Sequence, residues 1–133
     1  MRFLLGLLLT AFIALPAGAK PSLEVTLGDK PLKTQYDRYY YYNFGSVPVN
    51  FSRYADFTLR NVGNQPVYLR GVFIIGSAFW AWSNCPPYLF PGQACLTRVE
   101  FRPWHEGSFN GRLRFAFPTD NIYIDLFGWA TRW

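Results

Sequence analysis

Histidine occurs once, cysteine twice, and acidic residues are outnumbered eight to thirteen by basic ones. Each shortage removes a class of chemistry. Two cysteines and a distant His105 are too few ligands for a zinc site. Cys85 and Cys95 are also too widely spaced for the C-x-x-C arrangement of a redox-active pair. No G-x-S-x-G elbow accompanies His105, and no glycine-rich phosphate loop precedes a helix. His105 sits in the turn Pro103-Trp104-His105-Glu106-Gly107, where Glu106 offers only a local pair. Glu100 and Asp125 both lie on strands, as the two carboxylates of a glycosidase would. Both alternate onto an outer face among Arg98, Arg102, Arg112 and Arg114, where cross-strand ion pairing accounts for them. No catalytic residue, no metal and no cofactor is therefore expected. The basic residues are dispersed, with no run resembling a nucleic-acid-binding arm.

Long apolar runs are missing too, with one exception at the N-terminus. Arg2 precedes an apolar stretch from Phe3 to Leu15, Pro16 breaks it, and Ala17-Gly18-Ala19 forms a small-x-small cleavage site. The stretch is shorter than the roughly 20 residues that a spanning helix needs. Residues 1–19 are thus expected to be a cleaved secretory signal, the alternative being an uncleaved anchor. The expected destination is the periplasm, the cell surface or the medium. Loss of Arg2 lowers the formal net charge of +5 by one. An even cysteine count in an exported chain argues for a Cys85–Cys95 disulfide.

Aromatic side chains are abundant, at 20% of the chain, and glycine and proline punctuate short runs rich in Val, Ile, Phe, Tyr and Trp. Many runs alternate, and no apolar period of 3.6 follows the signal, which predicts strands rather than helices. Residues 20–38 are the most polar part, and Leu23, Val25 and Leu27 alternate there as an edge strand or a tail. The domain is expected over residues 39–133. It starts with a strand Tyr39 to Asn43, broken at Phe44-Gly45. Ala55, Phe57 and Leu59 are predicted to face inward, then Val67 and Leu69. A bulge at Gly71 hands the inner face of one strand, Val67 to Ile75, over to Val72 and Ile74. Cys95, Thr97, Val99 and Phe101 follow, then Leu113, Phe115 and Phe117, and finally Ile122, Ile124 and Leu126 in a strand ending at Gly128. The fold class is all-β: an antiparallel immunoglobulin-like sandwich of seven or eight strands with one disulfide.

These pieces, in this order, resemble the ASH/hydin-like domain and its bacterial choice-of-anchor D relatives, in the PapD-like branch of immunoglobulin-like sandwiches. The similarity runs from Tyr39 to Ala130. It is carried by Phe44-Gly45-Ser46-Val47, Phe57 to Gly63, Val67-Tyr68-Leu69, Phe79 and the loop from Cys85 through Leu89 and Pro91-Gly92 to Cys95. Val99-Glu100-Phe101-Arg102-Pro103, Gly107, Gly111-Arg112-Leu113 and Leu126-Phe127-Gly128-Trp129-Ala130 complete it. The resemblance implies a non-catalytic binding or structural module and supplies no functional residues.

Candidate binding residues come from alternation. If Phe79 and Ala81 face the core, Trp80 and Trp82 form an outward indole platform; the other register, or coverage by the N-terminal segment, would hide them. Tyr123, Phe127 and Trp129 form a second row, interrupted by Asp125. In the disulfide loop Leu89 plugs the sandwich end, and Tyr88 or Phe90 projects between prolines. The expected function is an exported, non-catalytic module of the cell envelope. It binds a protein partner through outward aromatics or an exposed sheet edge. The alternatives are a small PapD-like periplasmic assembly factor and a glycan-binding module. Neither nucleic acid nor an integral membrane segment is expected after signal cleavage.

Overall fold

The computed structural model describes residues 23–28, 30–31, 33–36 and 38–132; the signal sequence read at residues 1–19 lies outside them. Twelve strands and no helix occur among the described residues. One sheet contains β1 (Leu23–Leu27), β2 (Lys30–Pro31), β5 (Arg53–Asn61), β8 (Phe79–Ser83) and β10 (Ala94–Phe101), in the order β2-β1-β5-β10-β8. The other contains β3 (Lys33–Tyr36), β4 (Tyr39–Pro48), β7 (Gly71–Ile75), β11 (Gly107–Ala116) and β12 (Asn121–Thr131), in the order β3-β4-β12-β11-β7. A two-stranded clip joins β6 (Val67–Tyr68) to β9 (Tyr88–Leu89). The β4–β12 pair is parallel, and the other pairs are antiparallel.

Alternation explains the layers. A strand points successive side chains to opposite faces, so β5 buries Ala55, Phe57 and Leu59, while β10 buries Cys95, Thr97, Val99 and Phe101. From the other layer come Phe109, Leu113 and Phe115 of β11 and Ile122, Ile124, Leu126 and Ala130 of β12. Each large apolar side chain removed from water in this way contributes about 1.5–3 kcal/mol. Residues 23–27, expected as an edge strand or tail, pair with β5 along their whole length and bury Val25 in the common core.

Three expected boundaries shift. The chain does not break at Phe44-Gly45. Instead β4 runs on, with Phe44 buried, and kinks where Gly45 adopts φ +80° and donates its N–H to the Asn43 side chain at 2.8 Å. The β12 register skips there, from Asn43 to Ser46, which is a bulge rather than a break. The run Val67 to Ile75 is two strands, not one with a bulge. Leu69 and Arg70 carry the chain from the clip across to the second sheet, held by their N–H groups on Pro87 and Ala116 carbonyls at 2.7 Å. The change of inner residue at Gly71 reflects that crossing. The last strand passes through Gly128 and continues to Thr131.

Cys85 and Cys95 form the expected disulfide, with Cα atoms 4.9 Å apart across a sequence separation of 10. The bond ties the segment after β8 to the start of β10. Replacing both cysteines with serine is expected to cost about 2.7 kcal/mol, the chain entropy of a loop this short, read as a lower urea midpoint with a slope no shallower than the parent's, since the unfolded chain loses its cross-link.

Candidate functional site

The outer face of the first sheet is built around β8. Phe79 is buried and Ala81 packs partly against the core, so the intervening indoles project: Trp80 is 48% exposed and Trp82 55%. The register sets Trp82 opposite Arg98 and Trp80 opposite Glu100; one strand further on, Arg98 faces Asp56 and Glu100 faces Tyr54. Arg98 grips Asp56 with two bonds, Nε to Oδ1 at 2.6 Å and Nη2 to Oδ2 at 2.8 Å. That hydrogen-bonded guanidinium holds the Asp56 carboxyl below the usual carboxylate range, against the opposing effect of burial. The same guanidinium lies 5.8 Å from the Tyr54 ring centre and 6.0 Å from that of Trp82. Glu100 accepts hydrogen bonds from Ser52 Oγ and from Tyr54 Oη. The indoles are thus flat apolar surfaces framed by charges that already have partners. Such a face can dock an apolar surface without leaving an ion unpaired.

The second aromatic row lies on the outer face of the other sheet. Tyr123 is half-buried because its neighbours cover it. Tyr39 stacks on it at 5.0 Å, and the Arg112 guanidinium sits 4.8 Å from its ring centre. Asp125 interrupts the row as expected, and Arg112 takes it in a 2.6 Å ion pair. Phe127 and Trp129 remain exposed. In the loop, both Tyr88 and Phe90 project, while Leu89 is buried; Tyr88 packs against Tyr68 across the clip at 5.2 Å. The three candidate groups therefore do not converge. They occupy the outer faces of opposite layers and a loop.

The carboxylates stand apart in the same way. Glu100 belongs to one layer and Asp125 to the other. Of the two, Asp125 has the arginine partner expected; Glu100 binds hydroxyls instead, because Asp56 occupies Arg98. His105 is exposed, with Nδ1 2.7 Å from the Glu106 carbonyl oxygen and its ring against Trp104 and Phe109. Glu106 pairs with Arg132 at 2.7 Å rather than locally. Among the described residues, no group of three or more His, Cys, Asp and Glu could hold a metal ion, and no helix is long and apolar enough to cross a membrane.

Tyr54 beside the indoles, and Phe73 and Ile75 on the second face, are exposed aromatic or aliphatic residues that the sequence reading passed over. Phe73 carries the Arg114 guanidinium 4.5 Å above its ring. Outward Phe73 and Ile75 follow from inward Val72 and Ile74, but four consecutive apolar residues hide the preference of either face.

Two packed β layers, with an N-terminal segment that contributes strands to both, define an immunoglobulin-like module. The chain belongs to the HYDIN/CFA65/VesB-like Ig-like domain family, whose model matches residues 35–128. No curated protein matches the sequence. Among solved structures, a Porphyromonas gingivalis protein of unknown function is similar at 19% identity and TM-score 0.62, over 90% of this chain and 51% of that one. PapD-like domain 7 of human CEP192, an ASH domain, is similar at 11% identity and TM-score 0.57, over 89% of both chains. The secreted serine protease VesC of Vibrio cholerae is similar at 18% identity and TM-score 0.55, over 66% of this chain. This chain spans about a fifth of VesC and about half of the P. gingivalis protein.

Proposed function

We propose that the chain is an exported, non-catalytic binding module that docks a partner protein of the cell envelope on the face and edge of β8. The observation that carries the reading is the placement of Trp80 and Trp82. Both are half-exposed, on the same side of a five-residue strand that ends its sheet. Exposed tryptophans have no role in the core beneath them and are strongly enriched among the residues that dominate binding energy. The sequence from Arg2 to Ala19 supports export, as does the description of VesC as secreted.

The test is a double substitution, Trp80→Ala with Trp82→Ala, in the mature protein crosslinked and recovered from its native envelope. Recovery of the partner is expected to fall by at least about thirtyfold, the loss of one dominant contact. The melting temperature is expected to move by less than about 8 °C, because two surface truncations of at most about 0.5 kcal/mol each total about 1 kcal/mol. Unchanged recovery, or a collapse in thermal stability, would refute the reading. Competition by a soluble polysaccharide instead of by protein would replace the protein partner with a glycan.

A further inference from the structure

The backbone of β8 specifies more than an apolar surface. Arg102 N–H donates to the Ala78 carbonyl at 2.9 Å, and Asn84 N–H donates to the Leu96 carbonyl at 3.0 Å. Between these bonds the register sets Glu100 opposite Trp80 and Arg98 opposite Trp82. Bonded and non-bonded pairs alternate along an antiparallel ladder. Trp80 and Trp82 therefore turn their backbone groups toward β10, and Phe79, Ala81 and Ser83 turn theirs to the other side. Among the described residues no strand pairs there. The Phe79 N–H is taken by the Gly76 carbonyl at 3.3 Å. The N–H and C=O of Ala81 and of Ser83, and the C=O of Phe79, face that edge without a strand partner. The strand reads FWAWS: it has no proline and no charge, the usual guards of a sheet edge.

We infer that this edge pairs with β8 of a second copy of the chain, antiparallel, about a two-fold axis through Ala81. The inference rests on β8 being the docking element and names its partner. Ala81 is the midpoint of the strand, so this axis overlaps all five residues. Each Ala81 N–H donates to the other copy's Ala81 carbonyl, and each Ser83 N–H donates to the other copy's Phe79 carbonyl. Trp80 of one copy then lies opposite Trp82 of the other, at a non-bonded position where facing side chains come closest. Charge agrees with this register. Reading across the joined sheet, Glu100 and Trp80 of one copy are followed by Trp82 and Arg98 of the other. Both symmetry-related rows carry one carboxylate and one guanidinium, and no like charges are set against each other. Such an interface is isologous and closes at two copies. Its contact is small beside that of an obligate dimer, so association is reversible and concentration-dependent.

Sedimentation of the mature protein over a wide concentration range tests the inference. A monomer–dimer equilibrium is expected, with an exciton-coupled indole band in circular dichroism that grows with the dimer fraction. Ala81→Pro removes an edge-facing N–H that β10 does not use, so the variant is expected to melt like the parent and remain monomeric. A charge swap keeps the test open if that proline perturbs the fold. The pair Trp80→Lys with Trp82→Lys sets like charges opposite and is expected to weaken association at least about tenfold. The pair Trp80→Lys with Trp82→Glu sets opposite charges together across the seam, and also against Glu100 and Arg98 of its own sheet, so a dimer returns and loosens as salt is added. A parent protein that stays monomeric at every concentration overturns the inference. So does a lysine pair that dimerises like the parent, or a Lys/Glu pair no tighter than the lysine pair. If the parent is monomeric while the double alanine variant still loses its envelope partner, the second copy is wrong and the docking face stands. If the parent dimerises and the double alanine variant keeps its envelope partner, the broader reading fails and the second copy stands.

Discussion

Gly128→Ala is expected to destabilise the domain by about 3 kcal/mol, at the upper end of overpacking effects. For a domain near 100 residues that corresponds to a fall of roughly 12–24 °C in melting temperature. Gly128 is buried in the middle of β12, on the face that also presents Ile124, Leu126 and Ala130 to the core. A Cβ there would collide with Cε2 of the Phe101 ring and lie 2.5 Å from Cζ and 2.8 Å from Cδ2. The ring has little freedom to retreat. Phe101 is fully buried, stacks on Phe79 at 5.0 Å and contacts Phe44 and Phe109 at 5.5 and 5.9 Å. The methyl must therefore displace either the aromatic cluster or the β12 backbone. Phe101→Leu opens room at the same point while creating a cavity of its own. The two substitutions together are expected to cost less than the sum of their separate effects by more than about 1 kcal/mol, as directly contacting sites do. Additivity in urea melts of the four proteins would show that the glycine is required for another reason.

That glycine illustrates where the sequence stops being legible. Alternation is local, so inner and outer faces follow from short stretches: Phe57 between Asp56 and Thr58, or Val99 between Arg98 and Glu100. The same logic gave the outward direction of Trp80 and Trp82, because Phe79 anchors the strand. Glycine carries no polarity, and at Gly128 it reads as a stop although it continues the inner face. Gly71 carries an equally ambiguous message: a bulge within one strand and a crossing between layers leave the same change of phase. Strand order is less accessible still. That β8 ends its sheet depends on pairings between distant segments, and edge position decides what its tryptophans can do. Outward charges were legible as a class but their partners were not, since Arg98 chooses Asp56 of β5 over Glu100 two residues along its own strand.

Asn61 is expected to tolerate no substitution cheaply, although it reads as an ordinary residue at the start of a turn. It is fully buried at the end of β5. Its Nδ2 donates to the Gln65 carbonyl at 2.7 Å and to the Leu89 carbonyl at 2.9 Å, and its Oδ1 accepts the Gly63 N–H at 2.9 Å. Its backbone adds bonds to Gln93 and Gly92. One side chain thus closes its own turn and holds the clip 28 residues away against β5. Asn61→Ala orphans three backbone groups, and buried polar groups left unpaired cost about 1–3 kcal/mol each. With some relief from water entering, a total near 3–4 kcal/mol is expected. Asn61→Leu restores the volume but no bond, so it is expected to recover less than about 1 kcal/mol. Asn61→Asp separates donation from shape. The carboxylate keeps the acceptor for Gly63 but points a negative charge at two carbonyl oxygens. Its folded-state pKa is then raised above the unfolded value of about 3.9, and the folded state binds more protons than the unfolded one. The stability of this variant should therefore rise as pH is lowered into the carboxyl range, opposite in sign to the effect of the depressed Asp56. Hydrogen exchange at Gly63 should quicken in the alanine and leucine variants, which lose its acceptor, and stay near the parent's rate in the aspartate variant. A variant series with flat pH dependence and unchanged protection at Gly63 would mean that hydrogen bonds other than those of Asn61 hold the turn.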